Sequence, residues 1–333
     1  MEEKDELIVL GIESTAHTVG IGIFSSKRGI IADEKSVYRP AKGGIHPREA
    51  AEHHSKKLPS LLKAAIEKAK CDPHDIDAVS VALGPGMGPC LRIGASVARA
   101  IALKLNRPLI PVNHAIAHIE IARFTTGFHD PLVVYVAGGN TLIAAFVEKR
   151  YRVFGETLDI SLGNCLDVFA RETGLGFPGV PQIEKLYSKG KKLLELPYIV
   201  KGQDVSYSGL LTKALQLYKK GSSIEDLCYS LIEVAYSMLV EVTERALVHT
   251  KKKEVVLTGG VARSRILQEK LSTMCKIHKA KFASVKSEYA GDNGAMIAYT
   301  GYLAYISGIK IPVNESFIMP FWRLDEVDIL WRS

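Results

Sequence analysis

Two histidines four residues apart, His114 and His118, stand in the run Asn113-His114-Ala115-Ile116-Ala117-His118. The apolar surroundings predict a helix, on which positions i and i+4 share one face, a turn apart. Two imidazoles placed that way can reach a single point, which suits a zinc, iron, copper or nickel ion. The same spacing suits two hydrogen-bonded core histidines, so the pair alone leaves both alternatives open. A zinc-protease helix would carry Glu directly after the first histidine, and Ala115 stands there instead. If a metal is bound, its remaining ligands must come from distant parts of the chain.

The elements that would position such a site form a repeated pattern. An apolar run from Leu7 to Glu13, a polar turn 14–18 and a second apolar run from Val19 predict a hairpin. A similar unit starts near Pro131, with the turn Gly138-Gly139-Asn140-Thr141 between the runs 132–137 and 142–147. Further on, the strand-like stretches 78–83 and 254–258 each run into glycines, Gly84 to Gly88 and Gly259-Gly260. Two matched pairs in the same order predict a duplicated α/β architecture: two ribonuclease-H-like lobes of the actin, sugar-kinase and heat-shock-ATPase class, with an interlobe cleft. A turn rich in backbone N–H groups suits a phosphate. The expected division is 1–130 for the first lobe and 131–299 for the second, with 300–333 packing back on the first. Helical periodicity is read over 47–70, 91–105, 224–250 and 266–275, and another helix opens at Gly291-Asp292-Asn293-Gly294. The proline-rich stretch 177–181 is read as a loop.

Composition narrows the class. Of 333 residues, 47% are hydrophobic and 24% charged, as in ordered globular proteins. No apolar run approaches the ~18 residues of a membrane span. The charged N-terminus lacks the basic start and apolar core of a signal peptide. The five cysteines are scattered and odd in number, which points to a reducing, cytoplasmic setting. The net charge of +7 permits nucleic-acid binding and equally suits a solvated surface.

Taken in order, several motifs resemble the TsaD/Gcp/OSGEP family of tRNA threonylcarbamoyladenosine transferases, its archaeal branch in particular. They are the stretches 11–17 and 43–54, Gly84 to Gly88, Asn113 to His118, 135–141, 154–159, Phe177-Pro178-Gly179, 206–210, 259–262 and 292–296. The resemblance implies a metal site of His114, His118 and Asp292 with Tyr135 approaching, holding one divalent ion, Fe2+ first and Zn2+ second. It also implies an adenine nucleotide in the cleft: threonylcarbamoyl-AMP, AMP or ATP. Tyr135, Val136, Ala137, Gly138 and Gly139 match its loop near the phosphate, Asp167 and Glu184 its acids for the ribose hydroxyls. Val180 stands where close relatives have Gly, and Arg263-Ser264-Arg265 where they show Asn pairs. Ser264 is carried over as a hydrogen-bonding partner of the adenosine.

The activity so implied is transfer of a threonylcarbamoyl group from its adenylate to N6 of the adenosine beside the anticodon of ANN-decoding tRNAs. That amine is a weak nucleophile because its lone pair is delocalised into the ring. AMP as leaving group and a metal acting as Lewis acid supply the activation. Glu13 and His17, in the first hairpin turn, are the candidate proton acceptors. The resemblance also implies partners: tRNA and the KEOPS subunits, namely a small kinase-like ATPase, a small dimerising subunit docking around residues 46–70, and a tRNA-binding subunit. Some archaeal relatives continue into a fused kinase, so the chain is read either as a whole protein or as one module. The alternative is a nucleotide-binding ATPase or scaffold without acyl transfer, which would need acids and Mg2+ but no paired histidines.

Overall fold

The computed structural model describes residues 5–40 and 43–332. The first apolar runs become strands β1 (Ile8–Glu13), β2 (Thr18–Ser25), β3 (Gly29–Val37), β4 (Ala78–Gly84) and β5 (Leu109–Asn113). They pair in the order β3-β2-β1-β4-β5. β1 runs antiparallel to β2 and parallel to β4, and β4 is parallel to β5. Strands β1, β2 and β4 are buried along their whole length, so this sheet is covered on both faces.

The second run of the pattern gives β6 (Leu132–Val136), β7 (Thr141–Val147) and β8 (Arg150–Glu156), a two-residue pair β9 (Val200–Lys201) and β10 (Asp204–Val205), then β11 (Glu254–Thr258) and β12 (Lys281–Ser284). Its sheet order, β8-β7-β6-β11-β12, repeats the first with each strand in its equivalent place. β11 is again parallel to both neighbours. The helices are α1 (Pro47–Ala69), α2 (Gly88–Leu105), α3 (His114–Thr126), α4 (Leu162–Glu172), α5 (Gly179–Tyr187), α6 (Ser208–Lys219), α7 (Ile224–Thr250), α8 (Arg265–Ile277) and α9 (Gly294–Ile306). Among the described residues, none is long and apolar enough to cross a membrane.

The stretch 177–181 is not wholly a loop. Gly179, Val180 and Pro181 form the first turn of α5. Proline is tolerated in a first turn, where its missing N–H would have had no intrahelical partner.

The chain divides into two compact units. One holds the chain up to Ile121, Glu148–Arg150 and the chain from Asp292 onward; the other holds Ala122–Val147 and Tyr151–Gly291. Residues 122–130 therefore fall in the second unit and 292–299 in the first, a few residues from the division expected at 130 and 299. The reason at the second boundary is α9, which packs on β1, β2 and β4. Glycines make that contact possible. A Cβ on Gly22 would lie 2.2 Å from Ala295 N, and one on Gly11 would lie 2.2 Å from Ala298 N. Ser80 Oγ pins the same interface by donating to the carbonyls of Leu10 (3.1 Å) and Ile297 (3.0 Å).

A late segment of the first unit lies across the exits of β4 and β5. Met319 N donates to Leu83 O at 2.7 Å, Gly86 N to Pro320 O at 3.1 Å, and Asn113 Nδ2 to Trp322 O at 3.1 Å.

Candidate metal centre

The histidine pair opens a helix, and Asn113 explains where that helix starts. Its Oδ1 accepts from the amides of Ala115 (2.9 Å) and Ile116 (3.2 Å), capping α3 immediately before His114. His114 and His118 then lie one turn apart, with ring centroids 4.7 Å apart and planes at 81°. Asp292 stands just before α9, whose N-terminus is fixed by Asn293 accepting from Met296 N (2.8 Å) and by Asp33 accepting from Ala295 N (3.1 Å). Close packing of α9 on the sheet thus carries a carboxylate to His118, 174 residues away in sequence, and to His114 beside it.

Asp292 Oδ1 lies 3.2 Å from His118 Nε2 and 3.5 Å from His114 Nε2. Ligand atoms of all three residues fall within 4.8 Å of one another. His114 presents its other nitrogen, Nδ1, to Glu13 Oε2 at 2.9 Å, with Thr15 Oγ1 at 3.2 Å. The second Glu13 oxygen accepts from Thr15 N (2.6 Å) and Thr15 Oγ1 (2.5 Å). A metal-bound imidazole characteristically gives its other N–H to a carboxylate, which fixes the tautomer and the ring orientation. Two imidazole Nε2 atoms, one carboxylate and a buried orienting carboxylate fit a divalent transition metal.

The electrostatics point the same way. Burial alone would lower the pKa of His114, but the charge and hydrogen bond of Glu13, with Asp292 behind them, raise it to about 9. Burial pulls His118 down despite its contact with Asp292. Burial likewise pushes Asp292 up, but the His118 hydrogen bond and the charges of both histidines outweigh it and hold Asp292 well below the usual carboxylate range. His17, half-buried in the same hairpin turn, adds to that lowering.

The remaining predicted residues belong to the second unit. Tyr135 is buried on β6, in register with Thr258. Val136 ends the strand, and Ala137 N closes the following turn onto Asn140 O at 2.8 Å. Gly138 and Gly139 are exposed at its tip, and an added Cβ on either would meet nothing within 4 Å. Ser161 caps α4 and donates to Gly138 O at 2.5 Å. Gly163 lets α4 approach, since a Cβ there would be 2.5 Å from Ala137 O.

Asp167 Oδ1 accepts from Gly179 N at 2.7 Å. The close approach is made by Gly179, whose added Cβ would lie 2.6 Å from Leu166 O, while Val180 beside it is half-buried. Ser264 Oγ donates to Glu184, and Ser264 also caps α8 by accepting from Leu267 N at 3.1 Å. Burial raises the pKa of Glu184 above the ordinary value, while the hydrogen bond from Ser264 opposes the shift.

The structure therefore gathers His114, His118, Asp292, Glu13 and Thr15 into one cluster, and Glu184 with Ser264 into another. Thr15 and Asn113 escaped notice in the sequence. For Asn113 a signal existed: Asn directly before an apolar helical run is a preferred N-cap. Thr15 had none, because its role depends on a partner 99 residues away.

Comparison with known proteins bears on what this arrangement does. A family model described as TsaD, tRNA N6-adenosine threonylcarbamoyltransferase, matches residues 29–299. A protein of that name from Thermofilum pendens is 64% identical over 328 residues, 98% of each chain. One from Caldivirga maquilingensis is 54% identical over 326 residues, again 98% of each chain. One from Aeropyrum pernix is 53% identical over 98% of this chain and 95% of its own. Among solved structures, HypF from T. kodakarensis aligns with a TM-score of 0.64 at 16% identity, over 90% of this chain and 48% of its own. This chain thus spans about half the length of that protein. The activator of the 2-hydroxyisocaproyl-CoA dehydratase from Clostridium difficile, with bound ADPNP, aligns with a TM-score of 0.55 at 12% identity, over 91% of this chain and 97% of its own. These two likenesses are of fold.

Proposed function

The chain belongs to the tRNA N6-adenosine threonylcarbamoyltransferase family, and from that membership we propose that it moves a threonylcarbamoyl group from threonylcarbamoyl-AMP to N6 of the adenosine next to the anticodon of ANN-decoding tRNAs. The observation that carries the mechanism is the cluster of buried His114 and His118 with half-buried Asp292, and Glu13 behind His114. These three residues hold one divalent ion, Fe2+ or, second, Zn2+. When bound, the ion supplies Lewis-acid polarisation and stabilises charge developing on oxygen. Glu13 fixes His114 so that Nε2 faces Asp292. Both Glu13 oxygens are engaged by Thr15 and His114, so we assign the proton leaving N6 to His17 instead. In the second unit, the exposed Gly138 and Gly139 amides receive the phosphate, and Asp167, Glu184 and Ser264 receive the ribose and adenosine.

The reading extends to partners and place. tRNA is the second substrate, and the chain works in the cytoplasm with the KEOPS subunits: the small kinase-like ATPase, the dimerising subunit on α1 and the tRNA-binding subunit. Five cysteines without disulfide bonds support a reducing compartment.

A transfer assay tests the proposal: the chain with those subunits, labelled threonine, bicarbonate, ATP, an adylate-forming enzyme and unmodified tRNA. Label entering tRNA with wild type, and falling at least about 1000-fold in folded His114→Ala, His118→Ala and Asp292→Ala variants, supports it. No label with any set of partners, alongside ATP binding or hydrolysis, replaces it with the nucleotide-switch reading. Transfer undiminished in the variants removes the metal from the mechanism.

A further inference from the structure

The positive charge of the chain is carried unequally. The second unit holds 22 Lys and Arg against 16 Asp and Glu; the first holds 21 against 20. Much of the excess gathers at the two ends of the edge strand β12. At its start, Lys281 N donates to Lys253 O at 2.8 Å, which sets two exposed lysines side by side. Lys276 in the last turn of α8 and Lys279 in the turn after it are exposed at the same end. At the far end Lys286 is exposed, and Arg263 reaches across to donate to Ser287 O at 3.1 Å. Among the described residues, none of these six cations has a carboxylate partner. Two acids border the stripe: Glu254, at the start of β11, accepts from the amides of His129 (3.1 Å) and Asp130 (3.2 Å), and Glu288 is exposed just beyond Lys286.

We propose that this stripe is a track for the phosphodiester backbone of a base-paired RNA stem, namely the stem adjoining the target adenosine. The inference rests on tRNA being the substrate. From Lys281, which opens β12, to Lys286, two residues past its end, the backbone spans at most about 16 Å at ~3.3 Å per residue. One duplex strand carries a phosphate roughly every 3.4 Å, so the stripe spans about four or five of them. The track also leads somewhere. Arg263 adjoins Ser264, which is bonded to Glu184 in the proposed nucleotide-binding group. Lysines on an edge strand have a second use, guarding the open edge against pairing with other chains, and the experiment separates the two.

The test is direct binding of labelled unmodified tRNA to the full chain across salt concentrations. Wild type is compared with Lys279→Gln/Lys281→Gln/Lys286→Gln and with Lys27→Gln/Lys104→Gln/Lys310→Gln, a control that removes the same charge from the first unit. The track predicts that the β12 variant binds about 10- to 50-fold more weakly at low salt, and that its plot of log affinity against log salt is shallower by about 2 to 3. The control should change affinity less than about twofold. In the transfer assay the β12 variant should raise KM for tRNA and leave kcat unchanged. Equal affinity and slope in the two triple variants overturn the track. So does a β12 variant that binds RNA as wild type does but self-associates, which would leave edge protection as the role. Wild type failing to bind at about 50 mM salt also overturns it. The fate of the catalytic proposal is read separately, from the transfer assay with the triad variants.

Discussion

In the first unit, the turn after β1 follows a fully buried carboxylate, Glu13, whose oxygens are taken by Thr15 and His114. In the second, the equivalent turn after β6 is a pair of exposed glycines around which there is open space. The strand order is the same, and the hairpin sits at the same place in it. A turn that must orient a metal ligand needs a desolvated, hydrogen-bonded side chain. A turn that offers amides to a phosphate needs its side chains out of the way. Duplication supplied one frame, and the two copies differ where chemistry is placed on it. The same contrast holds for charge: nearly balanced in the first unit, markedly basic in the second.

Glycine substitutions probe the contrast most harshly. Gly22→Ala drives a methyl group into the backbone of α9, and should cost about 3 kcal/mol or more, with loss of metal binding as Asp292 is displaced. Gly139→Ala should change stability by less than about 0.5 kcal/mol yet weaken adenylate binding. Thermal melts and nucleotide titrations of the two proteins read both effects; similar melting losses would erase the distinction.

The buried carboxylates offer the next comparison. Glu13→Gln should weaken metal binding by about 10- to 100-fold, because the charge behind His114 is gone. Glu184→Gln should leave metal affinity unchanged and weaken nucleotide binding. Metal titrations followed by nucleotide titrations would show whether each carboxylate serves only its own unit.

Protons should act with opposite signs in the two units. Burial lowers the pKa of His54, on α1, to about 4, with Ala16 O as its partner at 2.9 Å. Between pH 6.5 and 4 the unfolded chain therefore binds the extra proton. The stability from neutral His54 is complete above about pH 6.5 and falls by about 3 kcal/mol as pH drops to 4. Glu184 is raised by burial, so its contribution is complete below its unfolded value near 4.5 and is lost as pH climbs through the raised one. His54→Gln should flatten the acid limb of a stability-against-pH curve, and Glu184→Gln should remove the opposite slope. A curve unchanged by either would contradict these assignments.

Ser264→Ala removes the cap of α8 and should cost about 1 kcal/mol, read by denaturant unfolding.

Much of this frame was legible in the chain. The repeated hairpins and glycine exits, and the helical histidine pair, are local patterns with local causes. Helix α7 falls within the bounds its periodicity gave. The His114–His118–Asp292 cluster was legible only in half. Spacing pairs His114 with His118, but Asp292 joins them through the approach of Gly22 and Gly11 to α9, and no sequence window contains both sides of that contact. Glu13 was recognisable as a polar residue in a turn, yet its engagement with His114 depends on β1 and α3 meeting in space. The start of α5 was hidden because Pro181 reads as a breaker, although a first helical turn accepts it.

The placement of α9 has a consequence for how the molecule is made. The ribosome delivers β1 and β2 early, whereas the helix that covers them is nearly 300 residues downstream. The second unit is almost continuous in sequence and can complete itself while the first sheet still lacks that cover. The nascent chain thus holds the two histidines long before Asp292 arrives, so the three-residue cluster assembles only after the second unit has been made. A translation product stopped before residue 292 should therefore emerge with its second unit folded and the His114–His118–Asp292 cluster unformed.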